Sequence, residues 1–217
     1  MCYSFRTSIL SYCIGIVSSV FAMCTNQMTI GVLIFFYTQM QLAEALIWKG
    51  IDTDNVQLNK IGTMIAKYSL PSHVFAVGVG YLLALRIQKK KVRSLDTIPL
   101  CFGILYYIVI LGTVYQEETA TTTYPKENGP TSCQNPNNRL LWPFPHQKWY
   151  LVGFAMIVLT FLFSRTMKFQ SKIFVSSFFL LTFVMSLAAS EATIGSFFCF
   201  SSAILAPFLV SINYFLV

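Results

Sequence analysis

Charge is what this chain has least of. Asp, Glu, Lys and Arg make up 11% of its 217 residues, where a soluble domain carries roughly 25%. A globule of this size could not be coated with so few charges, and a charged disordered segment or a coiled coil is excluded on the same ground. Histidine is nearly absent, at two residues, which is too few for the ligand set of a zinc-type membrane hydrolase. The six cysteines form no Cys-x-x-Cys pair, so a zinc module is not expected. There is no Walker loop, GxSxG, HExxH or GxGxxG, and no Asn-x-Ser/Thr acceptor for glycosylation. No internal repeat is visible, which removes the support an inverted-repeat transporter would need.

Long apolar runs are what the chain does have. Hydrophobic residues make up 55% of it, gathered in seven segments: Thr7–Cys24, Met28–Trp48, Ser69–Leu85, Thr97–Tyr115, Trp149–Ser164, Ile173–Ser190 and Thr193–Val217. A helix needs about 20 apolar residues to cross the hydrocarbon core. Backbone groups in lipid must be satisfied within the segment, so such runs are helices and not open strands. The fold expected is an all-α, polytopic integral membrane protein: a seven-transmembrane-helix bundle forming one domain over residues 1–217, with a long polar connection at 116–148. The third span has an earlier candidate start, with Asp54 as N-cap and Val56, Ile61, Ile65 and Leu70 at helical spacing. Pro71 would then fall inside it.

The loops set the orientation. The net charge of +7 would suggest nucleic acid in a soluble protein, but here the bases lie between apolar runs, where they fix topology. The connections Arg86–Asp96 and Arg165–Lys172 fall on one side with eight bases and one acid, against seven bases and six acids on the other. The positive-inside rule then puts the N-terminus out and the C-terminus in. The partner implied is the lipid bilayer and not nucleic acid; which membrane, which protein partners and whether the chain forms an oligomer stay open. A rival reading treats the first run as a cleaved signal peptide, with Arg6 as its basic region and Val20-Phe21-Ala22 at the cleavage site. Cleavage would remove Cys2 and leave six spans. The apolar run outlasts a signal core and no soluble domain follows, which favours a retained helix.

Only Glu44 and His73 put an ionisable group other than Cys or Tyr inside these runs. No Lys lies inside one, so a retinal Schiff base has no attachment point, and one intramembrane His cannot ligate haem twice. No cofactor is expected. Tyr37, Gln41, Glu44 and Trp48 are spaced four, three and four apart, on one face of the second helix. A carboxylate at the bilayer centre costs roughly 2.5–3.5 kcal/mol on insertion scales. Glu44 therefore needs a partner or a nearby interface, and His73 is matched to it by depth and charge. Cys2 and Cys199 fall at the same outer level, so Gln41, Glu44, His73, Cys2 and Cys199 make one candidate buried polar cluster. The cysteines have two readings: soft ligands of copper or zinc, or structural groups, with a Cys2–Cys133 disulfide and Cys199 buried as filler. Cys13, Cys24 and Cys101 read as small packing residues.

Three stretches carry a resemblance: the opening Met1-Cys2-Tyr3-Ser4, the stripe Gln41-x-x-Glu44-x-x-x-Trp48, and Gly195-Ser196-Phe197-Phe198-Cys199-Phe200. Together they resemble a group of uncharacterised polytopic membrane proteins that begin Met-Cys-aromatic-Ser and occur in large DNA viruses, algae and bacteria. Leu140-Leu141-Trp142-Pro143 is similar to the viral members. That group often places Trp beside the last cysteine, where this chain has Phe198 and Phe200. The resemblance implies the multi-pass architecture and marks Cys2, Glu44 and Cys199; it supplies no reaction. With no catalytic constellation in the sequence, the function expected is that of a structural or interaction-type membrane protein. The alternative is a small transporter, channel or metal-handling protein that uses the outer polar cluster.

Overall fold

The computed structural model describes residues 4–114, 147–187 and 194–216. Among them are seven α-helices and no strand: α1 (Phe5–Cys24), α2 (Met28–Asp52), α3 (Val56–Ile87), α4 (Ile98–Val114), α5 (Gln147–Phe163), α6 (Phe169–Leu187) and α7 (Ile194–Leu216), with a 3-10 turn at Ser94–Thr97. α1, α2, α3 and the segment Ser94–Gly112 that contains most of α4 are long and apolar enough to cross a membrane, and α5, α6 and α7 contain shorter apolar stretches.

Local signals start and stop these helices. Ser4 caps α1, its Oγ accepting from Thr7 N at 3.3 Å. The turn between α1 and α2 closes through Asn26 at φ 63°, a left-handed conformation that Asn tolerates better than most side chains. α3 starts at Val56 and not at Ser69. Its cap is Asn55, whose Oδ1 accepts from Leu58 N at 3.0 Å; Asp54, the expected cap, sits at φ 50° in the turn before it. Pro71 lies inside α3, where neighbouring helices can compensate for its missing donor.

α2 is the hub. Two-thirds of its apolar window (67%) is buried, against 33% for α1 and 22% for the Ser94–Gly112 segment. α1 reaches it with a stripe of small buried residues, Ser8, Ser11, Gly15, Ser18, Ser19 and Ala22, the composition that lets helix backbones approach closely in lipid. Ser19 Oγ donates to Gly31 O at 2.7 Å. α3 lies antiparallel on another face of α2: a Cβ on Gly62 would sit 2.8 Å from Ala43 O, and one on Gly50 would sit 2.7 Å from Asn59 N. α4 lies as close to α3, since a Cβ on Gly78 would come within 2.7 Å of the Leu100 backbone. α7 joins the end of the bundle where α1 turns into α2. There Gln27 Nε2 donates to Val210 O at 3.1 Å and Asn213 Nδ2 to Gln27 Oε1 at 2.7 Å.

Three cysteines differ from expectation. Cys13, Cys24 and Cys101 are exposed and face outward, because the inward positions of α1 beside the first two are taken by Ser, Gly and Ala.

Candidate functional site

The polar stripe of α2 is on its buried side. Tyr37, Gln41, Glu44 and Trp48 are each at most 2% exposed. Gly31 and Thr38 meet α1, and Ala43, Ile47 and Gly50 meet α3. At about 100° per residue the stripe therefore points in a third direction, where Tyr37 lies 5.9 Å from the ring of Phe179 on α6.

Helix register determines what shares a level with it. On α1, Gly15 packs against Thr38 of α2 and Ala203 of α7. One turn further on α2 is Gln41; one turn back are Ser11 on α1 and Cys199 on α7. On α3, Gly62 against Ala43 and Ile47 and His73 against Phe36 bracket Lys67 at the level of Gln41 and Glu44. The layer thus contains Ser8, Ser11, Gln41, Glu44 and Lys67, all buried. Lys67 corrects an expectation: the apolar runs left every Lys outside, but the early start of α3 puts this one within a helix and 8% exposed.

Gln41 is the unusual member. Its side chain is fully buried (0% exposed), and among the described residues neither Oε1 nor Nε2 has a hydrogen-bond partner. The Oγ atoms of Ser8 and Ser11 are in the same condition. A buried amide or hydroxyl without a partner costs about 1–3 kcal/mol on protein mutational scales, and three such side chains share this level, while Thr29, Ser171 and Ser176 have unpartnered hydroxyls elsewhere in the bundle.

His73 does not belong to this layer. Its Nε2 is paired with Phe36 O at 3.2 Å, and its ring stacks on Tyr37 at 4.2 Å between centroids. Phe36 is eight residues from Glu44, about 12 Å along the α2 axis at ~1.5 Å per residue. The match by depth assumed a span starting at Ser69. With α3 starting at Val56, His73 falls near the middle of the helix. Cys2, Cys133 and the side chain of Cys199 lie outside the described residues, and with them the disulfide and the copper or zinc alternative. Among the described residues no three His, Cys, Asp or Glu side chains are grouped as metal ligands.

A second polar assembly, at the opposite end, went unread in the sequence. Asp96, 5% exposed, receives Tyr81 OH at 2.8 Å, Arg93 N at 2.8 Å and Arg165 Nη1 at 2.7 Å. Gln88 Nε2 donates to Thr166 O at 3.0 Å. The two basic connections are therefore tied together around one buried carboxylate. The signal available was Asp96 itself, the lone acid among five bases in Arg86–Asp96. Comparison with protein-family models, with curated proteins and with solved structures gives no match.

Proposed function

We propose that the chain is a seven-span membrane protein, N-terminus outside and C-terminus inside, whose outer polar layer on α1, α2 and α3 binds a small cation or polar solute. The observation that carries this reading is the Gln41 amide, fully buried with both polar atoms unpartnered among the described residues, at the same helical level as the equally unpartnered Ser8 and Ser11 hydroxyls. A purely structural layer gains nothing from polar groups that bond to nothing, because apolar residues of the same shape would be neutral or better. Glu44, buried one turn away, is the carboxylate of the layer, and a bound cation would share it with Lys67, buried at the same level. The orientation rests on the basic connections, which meet at one end of the bundle. The expected likeness to the Met-Cys-aromatic-Ser group agrees with a multi-pass chain and with attention to Glu44.

The competing reading is structural, and the small-residue stripe of α1 favours it, since such a stripe serves close packing by itself. Proteoliposome flux of protons and of mono- and divalent cations, together with elemental analysis, separates the two. The wild type should move or retain a cation, and Glu44→Gln should abolish this while inserting and folding normally. A wild type inactive in both measurements would leave the structural reading.

A further inference from the structure

At the basic end the bundle opens. α4 and α5 touch only lightly, and between them lies a cleft of about 430 Å³ whose lining includes Tyr81, Arg93, Leu95, Leu159, Phe163 and Arg165. The volume is in the range of roughly 300–1,000 Å³ typical of small-molecule sites. Its two ends differ in chemistry. The wall along α5 is apolar, with Leu159 and Phe163 open to whatever surrounds the bundle at 42% and 76% exposure. The mouth holds two guanidinium groups.

Those groups are not used up by the fold. Arg165 Nη1 donates to Asp96 and, at 3.4 Å, to Lys91 O. That leaves its Nε and Nη2 donors without a partner among the described residues, and about a third of the side chain exposed (32%). Arg93 meets Asp96 through its backbone, its N–H donating to Oδ2 and its C=O accepting from Asp96 N, and the residue is exposed. Asp96 also lines the cleft, but its oxygens are occupied by Tyr81, Arg93 N and Arg165, so it does not repel an anion with a free charge. The two connections that supply Arg93 and Arg165 hold eight bases and this one acid.

We propose that this cleft binds one anionic phospholipid, its phosphate held by Arg93 and Arg165 and one acyl chain lying along Leu159 and Phe163. The charge excess selects an anionic headgroup, and the apolar wall running from the mouth along α5 selects an amphiphile over a free anion. The guanidinium fork is suited to a phosphate, which it can meet with paired donors. The site is at the opposite end from the Gln41 layer and needs only that the bundle lie in a bilayer.

The test is native mass spectrometry of the purified full chain, titrated in detergent with dioleoyl-phosphatidylglycerol or dioleoyl-phosphatidylcholine. One phosphatidylglycerol should bind per chain in clear preference to phosphatidylcholine. Arg93→Gln should weaken it by about fivefold, the effect of one base near an anionic surface. Arg93→Lys keeps the charge and loses the paired donors, so its affinity should fall between those of wild type and Arg93→Gln, and Lys172→Gln, at the same end but outside the cleft lining, should change little. Soluble glycerol 3-phosphate at millimolar concentration should not displace the lipid. Equal binding of the two lipids overturns the proposal, as does an equal loss in Arg93→Gln and Lys172→Gln, which would mean a diffuse surface charge. Displacement by glycerol phosphate also overturns it, showing an anion site with no place for a chain. None of these variants touches the outer layer, so their failure leaves the cation reading standing.

Discussion

Replacing Gln41 by Leu tests the Gln41 layer most directly. The side chain is fully buried, and among the described residues its amide makes no hydrogen bond. Leu is close to Gln in size and removes both polar atoms. If the amide is unsatisfied in the empty protein, its desolvation penalty of about 1–3 kcal/mol is relieved and nothing is lost in exchange. The variant should then be more stable than wild type by about 1–2 kcal/mol after allowance for imperfect repacking. In a chain of this size each kcal/mol moves the melting temperature by about 2–4 °C. Unfolding in mixed micelles, followed by helical circular dichroism, measures the difference. A second arm adds the candidate cations. A ligand that binds the folded state raises wild-type stability in proportion to the logarithm of its concentration, and Gln41→Leu should have lost that response. A variant destabilised by 1 kcal/mol or more would refute the reasoning, because the amide would then be holding the fold together and could not be waiting for a ligand.

Two further outcomes follow from the same geometry. Tyr81→Phe removes the hydroxyl that donates to Asp96 Oδ1 at 2.8 Å; hydrogen bonds to charged groups contribute about 1.5–3 kcal/mol. Loss of stability near the lower end is expected, since Arg165 and Arg93 N remain, and unchanged unfolding would show that the carboxylate is adequately held without Tyr81. For orientation, single cysteines at positions 90 and 127, with all six native cysteines replaced, should be labelled by an impermeant maleimide from the inside and outside respectively; labelling of position 90 from outside the cell would invert the topology.

What could be read from the sequence is what is local. α1 and α2 were legible because an apolar run ends at Thr25–Gln27 and another begins, and because the four-three-four spacing of Tyr37, Gln41, Glu44 and Trp48 places them on one face whatever the neighbours do. That face is the buried one. The start of α3 was less clear, since Val56–Tyr68 is amphipathic: Gly62, Thr63 and Ala66 are buried while Lys60, Ile61 and Met64 are exposed. Averaged hydropathy blurs such a segment, and what makes it a helix is the Asn55 cap and the close fit of Gly62 on Ala43 and Ile47. That misplaced boundary moved His73 up toward Glu44 and kept Lys67 out of the bundle. The Asp96–Arg165 pair was beyond reach for another reason, as its partners lie 69 residues apart. Which groups share a level in an antiparallel bundle depends on register, and register here is set where glycines let helices close in: Gly15 on the Thr38 side chain, Gly62 on the Ala43 backbone, Gly80 on the Thr29 backbone. A glycine in the sequence says that something may come close without saying what. The grouping of polar side chains around Gln41 therefore follows from contacts that themselves carry no chemistry.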